Sequence, residues 1–166
     1  MDRLGPRLVA PLLAAVLLVA VPASAASPSP AEVTFREVDA GTCGPHPPQG
    51  RIVRSMREAR LAGVGADQAR GAIPARSLEG FDFSRRAAII VLDQTRGDPS
   101  YRMRVRAINV GRWTATAAVE VQRQPGRYPQ VTCAPWAIVS VLRTAVRGIG
   151  PTVRVHTTLL DPAPVP

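Results

Sequence analysis

The stretch GFDFSRRAAIIVLDQTRGDPSYRMRVRAINVG, residues 80–111, constrains the fold more than any other part of the chain. It holds the one long apolar run outside the N-terminus, residues 87–92. The turn sequence Gly97-Asp98-Pro99-Ser100 follows. Strict alternation comes next, with Tyr101, Met103, Val105 and Ala107 on one side and Arg102, Arg104 and Arg106 on the other. A period of two belongs to a strand with one buried face. The stretch therefore predicts a β-hairpin at the centre of a sheet.

Asn109-Val110-Gly111 reads as a three-residue hairpin loop, with Gly111 in the left-handed position. Trp113, Ala115, Ala117, Val119 and Val121 continue the buried face, and Thr114, Thr116, Ala118 and Glu120 the other. A three-residue loop pairs Arg106 with Thr114 and Arg104 with Thr116. A two-residue loop would set Arg106 opposite Ala115 and put the faces out of phase.

The remaining elements are shorter. Residues 32–38 predict a first strand through Val33, Phe35 and Val38. Residues 41–50 read as a loop, because Pro45, Pro47 and Pro48 forbid regular pairing. Residues 51–54 lead as a strand into Ser55, which stands three residues before Glu58 in the spacing of a capping box. A helix over 56–62 follows, ending at Gly63 and Gly65. Residues 67–78 read as loop and 124–130 as a Pro/Gly turn. WAIVSVL, residues 136–142, is a strand apolar on both faces. After a turn at 147–151, residues 152–158 alternate Val153 and Val155 against Arg154 and His156. The class this predicts is α+β: a mainly antiparallel sheet of about six or seven strands with one short helix packed on it.

Residues 1–25 carry the marks of an export signal. Arg3 and Arg7 precede an apolar stretch, residues 8–20, broken only at Pro11, and Ala23-Ser24-Ala25 is a small-x-small cleavage site. The run is short for a membrane span, and no basic stop-transfer cluster follows it. The mature chain is therefore expected without a membrane span and secreted, outside the cell or in its envelope. Residues 26–31 read as a flexible lead-in, 32–160 as a single domain and 161–166 as a loose tail. About 140 residues are enough for one domain with a true core.

Two cysteines, Cys43 and Cys133, in an exported chain predict a disulfide. His46 stands three residues after Cys43, but two Cys and one His do not match a structural zinc site. No metal or cofactor is expected. All 21 basic residues are arginine, a uniformity that reads as coding bias, and the formal net charge is +9. Losing Asp2, Arg3 and Arg7 with the leader takes it to about +8. Such a surface attracts anionic partners, although it also serves plain solubility. Aromatic residues make up only 4% of the chain, too few for base-stacking platforms, so no nucleic-acid partner is expected.

No catalytic residue is assigned. A hydrolase would need His46 or His156 as base, and no Gly-x-Ser-x-Gly elbow occurs. Asp82 with Asp93 or Asp98 could form a carboxylate pair, but Asp98 before Pro99 and Asp82 before a strand are ordinary turn residues. The best candidate site is the row Arg102, Arg104 and Arg106, about 7 Å apart along one strand face by strand rise. It could meet carboxylates or phosphates of a partner, with Tyr101 at its margin. The plainer alternative is the solvated face of a half-buried sheet.

Several short motifs between residues 51 and 147 resemble the C-terminal domain of the protease complex subunit PrcB family. They are IVRSMREARL entering a helix through Ser55, Asp82-Phe83-Ser84 before AAIIVLD, Gly97-Asp98-Pro99-Ser100-Tyr101 opening a strand, and Pro135-Trp136 opening a late strand. The turn lacks the two glycines that precede the tyrosine in the family pattern. Either a close backbone contact is lost here or the turn is simply tighter. The resemblance implies a non-catalytic accessory domain that associates with and stabilises an exported protease. An electrostatic binder of anionic cell-envelope polymer is the alternative reading, and a small hydrolase a distant third.

Overall fold

The computed structural model describes residues 29–45, 49–66 and 73–160. The expected leader, the tail after residue 160 and His46 lie outside the described residues. The described residues form eight strands: β1 Ala31–Glu32, β2 Phe35–Gly44, β3 Gln49–Val53, β4 Arg86–Leu92, β5 Tyr101–Val110, β6 Ala115–Arg123, β7 Ala134–Leu142 and β8 Thr152–Leu160. One α-helix, α1 Met56–Leu61, follows β3, and 3₁₀ turns occupy Ala75–Leu78 and Arg143–Val146. The order across the sheet is β1-β5-β6-β8-β3-β4-β7-β2. Every pairing is antiparallel except β6 with β8. This is the expected α+β class.

β1 and β2 stand at opposite ends of that order, yet only Val33 and Thr34 separate them. The Val33 N–H still bonds the Ile108 carbonyl at 2.8 Å. The sheet therefore curls on itself. Its inner face encloses one core, built from Ile52, Ile89, Val91, Met103, Val105, Ile108, Val119, Val121, Val139 and Val141, among others. A second core lies on the outside of β3, β4 and β7, where Ala59 of α1, Ala62, Val64, Ile73 and Leu78 cover Val53, Ile90, Leu92, Trp136 and Ile138. Burial of each large aliphatic side chain contributes about 1.5–3 kcal/mol.

The two cores explain the apolar run. Ala87, Ile89 and Val91 face inward, and Ala88, Ile90 and Leu92 face the helix layer. A strand apolar on both faces needs neighbours covered on both faces, and β4 finds them in β3 and β7. The expected hairpin between residues 87–92 and 101–107 is therefore corrected. β5 has one solvated arginine face and sits near the far end of the sheet, paired with β6.

α1 begins at the expected Ser55 cap, with the return bond of Glu58 reaching Arg54, one residue before the N-cap. The Ser55 hydroxyl accepts from the Glu58 N–H at 3.2 Å, while the Glu58 carboxylate accepts from the Arg54 N–H at 2.6 Å. The helix closes at Ala62, followed by Gly63 at φ 96°. The predicted loop over 41–50 is corrected at both ends, because β2 runs on to Gly44 and β3 already begins at Gln49. A Cβ on Gly41 would come within 2.6 Å of the Trp136 ring, and one on Gly44 within 2.9 Å. These glycines form a strand surface on which the indole lies. Cys43 of β2 and Cys133 just before β7 are joined as expected, with Cα atoms 4.4 Å apart.

The β5–β6 hairpin departs from its expected register. Val110 pairs with Ala115 and Asn109 with Thr116, so residues 111–114 form a four-residue loop, closed by the Gly111 N–H to the Thr114 carbonyl at 2.8 Å. Gly111 does not take the left-handed conformation. Arg104 pairs with Glu120, not Thr116. A bulge between Val105 and Ala107 shifts the phase, setting Ala107 opposite Ala118 on the outer face and Ile108 in the core. The larger aliphatic side chain thereby takes the buried position. Trp113, expected in the core, lies in the loop and is 67% exposed, with Arg112 5.1 Å over its ring.

The two tryptophans are therefore unlike, since Trp136 is 4% exposed. Trp113→Ala is expected to change stability by no more than about 0.5 kcal/mol, as at other exposed positions. In a Trp136→Phe variant the remaining emission should be red-shifted and readily quenched by iodide. Emission shielded from iodide would place Trp113 in the core after all.

Candidate functional site

The outer face of β5, β6 and β8 carries the arginine row. Alternation sends Arg102 and Arg104 of β5 to solvent, and the bulge holds Arg106 on the same side. Across the sheet, Arg104 stands beside Glu120 and Thr158, Arg102 beside Gln122 and Leu160, and Ala118 beside His156. Thr116 stands beside Arg154. Arg154 and His156 are both exposed and so join the row. Their alternation was visible in the sequence, but their place beside β6 was not. It depends on the parallel β6–β8 pairing, which links strands far apart in the chain.

Four arginines on this face meet one acid. The Arg106 Nε donates to Glu120 at 2.6 Å. Among the described residues, no carboxylate pairs with Arg102, Arg104 or Arg154. Neighbouring arginines on one strand are about 7 Å apart, within the Debye length of about 8 Å at physiological salt, so their repulsion is only partly screened. An arriving carboxylate or phosphate relieves that repulsion and finds planar donors suited to two-point hydrogen bonding.

Tyr101 stands apart from this face. It packs against the inner core, with the Arg96 guanidinium 5.3 Å from its ring centroid. Arg96 pairs with the buried carboxylate of Asp93, which also accepts from the Thr157 hydroxyl at 3.0 Å. This Asp93, Arg96, Thr157 and Tyr101 group was not singled out in the sequence, because its members come from β5, β8 and the segment after β4.

The remaining candidates are not brought together. Asp82 precedes β4 and Asp93 follows it, so about seven strand residues, on the order of 20 Å, separate them. Asp82 bonds the Ser84 hydroxyl and N–H, which hold its carboxyl below the usual carboxylate range. Among the described residues, no three His, Cys, Asp or Glu side chains converge as a metal site would require.

The turn before β5 is closed by Asp98, whose carboxylate accepts from the Ser100 N–H at 2.8 Å and pairs with Arg123 at 3.3 Å. The Ser100 bonds above all, with help from Arg123, hold this carboxyl below its ordinary value. A carboxyl depressed in the folded state binds protons less readily there than in the unfolded chain. Its contribution is therefore present above the unfolded value and lost as the pH falls below about 4. Asp98→Asn should flatten the fall in urea midpoint between pH 5 and 2. An unchanged acid limb would show that Asp98 carries none of it.

The fold and face together define an α+β protein with a curled, mostly antiparallel sheet, one covered outer flank and one open cationic flank. Comparison with known proteins finds no family model that matches the chain and no similar curated protein or solved structure.

Proposed function

We propose that this chain is a non-catalytic, exported binding module that docks an acidic protein surface through Arg102, Arg104, Arg106 and Arg154. The observation that carries the reading is the uncovered face of four arginines against a single glutamate. The Cys43–Cys133 disulfide supports export, since such bonds persist in oxidising compartments. The resemblance to the PrcB family makes an exported protease the first partner to test.

Exposed charges of this kind act mainly on the association rate. Changing Arg102, Arg104 and Arg154 together to Glu is expected to slow capture of the partner by about tenfold or more, with the far-ultraviolet spectrum unchanged. The measurement is recovery from culture supernatant by immobilised wild-type and triple-variant protein, followed by binding kinetics on the recovered partner. Equal rates for both proteins would remove the arginine face from the reading.

The face lacks the aromatic anchor common at protein interfaces, which favours one alternative, an anionic envelope polymer. Salt separates the two. Four arginine–phosphate contacts would weaken roughly 50-fold between 50 and 200 mM salt, while a packed protein interface would weaken far less.

A further inference from the structure

The loop between β5 and β6 is closed by the Gly111 N–H to the Thr114 carbonyl at 2.8 Å, which leaves Arg112 and Trp113 at its tip. Trp113 is 67% exposed, and the Arg112 guanidinium lies 5.1 Å over the indole ring. Tryptophan is highly buried on average, so an indole this open calls for a reason. Two other parts of the chain reach the same end of the sheet. β1 runs antiparallel to β5 with Ala31 beside Val110, so Ser29 and Pro30 lie past the last pair, on the loop's side. β8 runs parallel to β6 with Val153 beside Ala115, so residues 147–151 enter the sheet there too. Arg147 and Pro151 are exposed, while Ile149 is buried in the inner core.

The charge of this end is one-sided. Residues 29–32, 111–114 and 147–151 carry Arg112 and Arg147 against a single carboxylate, Glu32. Among the described residues, neither arginine is in an ion pair. This is also the end at which the domain meets its expected leader. The apolar stretch of that leader ends at residue 20, and Ser29 already lies beside the loop. The chain between them reaches about 30 Å at most. The opposite end of the sheet is farther by the length of β5, a strand of 10 residues and about 30 Å. While the leader is held in the membrane being crossed, the end of the folded domain within that reach is the one bearing Trp113.

We infer that this end of the sheet docks on an anionic phospholipid surface, with the Trp113 indole at the headgroup boundary and Arg112 and Arg147 against lipid phosphates. Indoles collect at that depth because the ring is apolar and its N–H is polar. Arginine suits the same layer, since its stem lies along apolar surface while the guanidinium donates to phosphate. Anionic lipid attracts each arginine near the surface, and the rest of the basic chain strengthens the approach. No helix among the described residues is long and apolar enough to cross a membrane, and contact of this kind needs none. Removal of the leader then leaves attachment to Trp113 and the two arginines. The inference goes beyond the binding-module reading and is compatible with it. The face of Arg102 and Arg104 lies on the flank of the sheet and not on its end, so a docked domain still presents that face to a protein.

The test uses the full mature chain with its disulfide, and large vesicles of phosphatidylcholine alone or with an equal part of phosphatidylglycerol. Sedimentation should retain the protein on the anionic vesicles. Its tryptophan emission should shift to the blue there and lose the part that acrylamide quenches. Trp136 is already buried, so Trp113 supplies that change. Trp113→Ala, at an exposed position, should abolish the shift and weaken vesicle binding about tenfold or more. Each arginine near the surface is worth about fivefold, so Arg112→Glu with Arg147→Glu should weaken binding by about 25-fold or more. Arg102→Glu with Arg104→Glu makes the same charge change near the far end of β5 and should weaken it less. Equal weakening by both pairs, or retention with Trp113 still quenched, would mean general charge attraction and overturn the docking. No retention on anionic vesicles would overturn it too. So would a Trp113→Ala protein that binds vesicles normally but captures a protein partner more slowly, because the indole would then anchor a protein. If docking fails while Arg102 and Arg104 still govern partner capture, the arginine face stands alone. If docking holds and reversal of the face leaves capture unchanged, the membrane end stands and the face does not.

Discussion

Replacing Cys43 and Cys133 together by serine is expected to lower stability by about 4–5 kcal/mol, the chain-entropy value for a loop of this length. The two residues are 90 apart in sequence, so the bridge restricts most of the unfolded domain. That loss is a large share of the roughly 5–15 kcal/mol that holds a domain of this size together. The position of the bridge adds a local consequence. β2 is an outer strand with Arg36, Glu37 and Val38 exposed, and its pairing with β7 slips between Gly41 and Gly44. Cys43 is the covalent tie in that slipped segment. Urea denaturation of the oxidised protein and the double-serine variant gives the global cost, and amide exchange along β2 and β7 locates it. A loss under about 1 kcal/mol, with exchange raised only in β2, would mean that the bridge secures one outer strand and not the domain.

Much of this architecture was legible in the chain because it is written in short periods. The capping box at Ser55 and Glu58 placed α1. Alternation in 101–105 and 115–121 placed the faces of β5 and β6. The unbroken apolar run of β7 marked a strand covered on both sides. What failed involved partners distant in sequence. The run in β4 looked like one arm of a local hairpin. Its two apolar faces instead require β3 and β7, which lie far from it on either side in the chain. Trp113 looked like core because it was in phase with Ala115, but phase says nothing about where a hairpin turns. The loop closes at Gly111 and Thr114, so the indole falls outside the ladder. The glycines of β2 looked like turn residues, and their reason is the Trp136 ring from another strand. Half of the candidate face was legible, the half on β5. Arg154 and His156 needed the parallel β6–β8 pairing, which no local pattern announces.

The second large effect is expected at the buried pair Asp93 and Arg96. Their side chains are 5% and 13% exposed, so both charges have given up most of their hydration. The structure compensates each of them. The Asp93 carboxylate takes the Arg96 guanidinium on one oxygen and the Thr157 hydroxyl on the other, and the guanidinium lies against Tyr101. The backbone beneath is fixed as well, since Arg96 and Cys133 exchange N–H to carbonyl bonds at 2.7 and 3.0 Å. Arg96→Met leaves the carboxylate buried without its cation and should cost about 3–5 kcal/mol. Asp93→Leu strands the guanidinium and should cost a similar amount. The double change Asp93→Leu with Arg96→Met should come much closer to wild type than either alone, because two desolvated charges leave together. Denaturation midpoints of the four proteins form the cycle. A double variant as unstable as the sum of the two singles would show that the pair contributes no coupling, and that each residue acts through its own packing. If coupling is found, the pair is what pins Thr157, and with it the path of β8, to the end of β4.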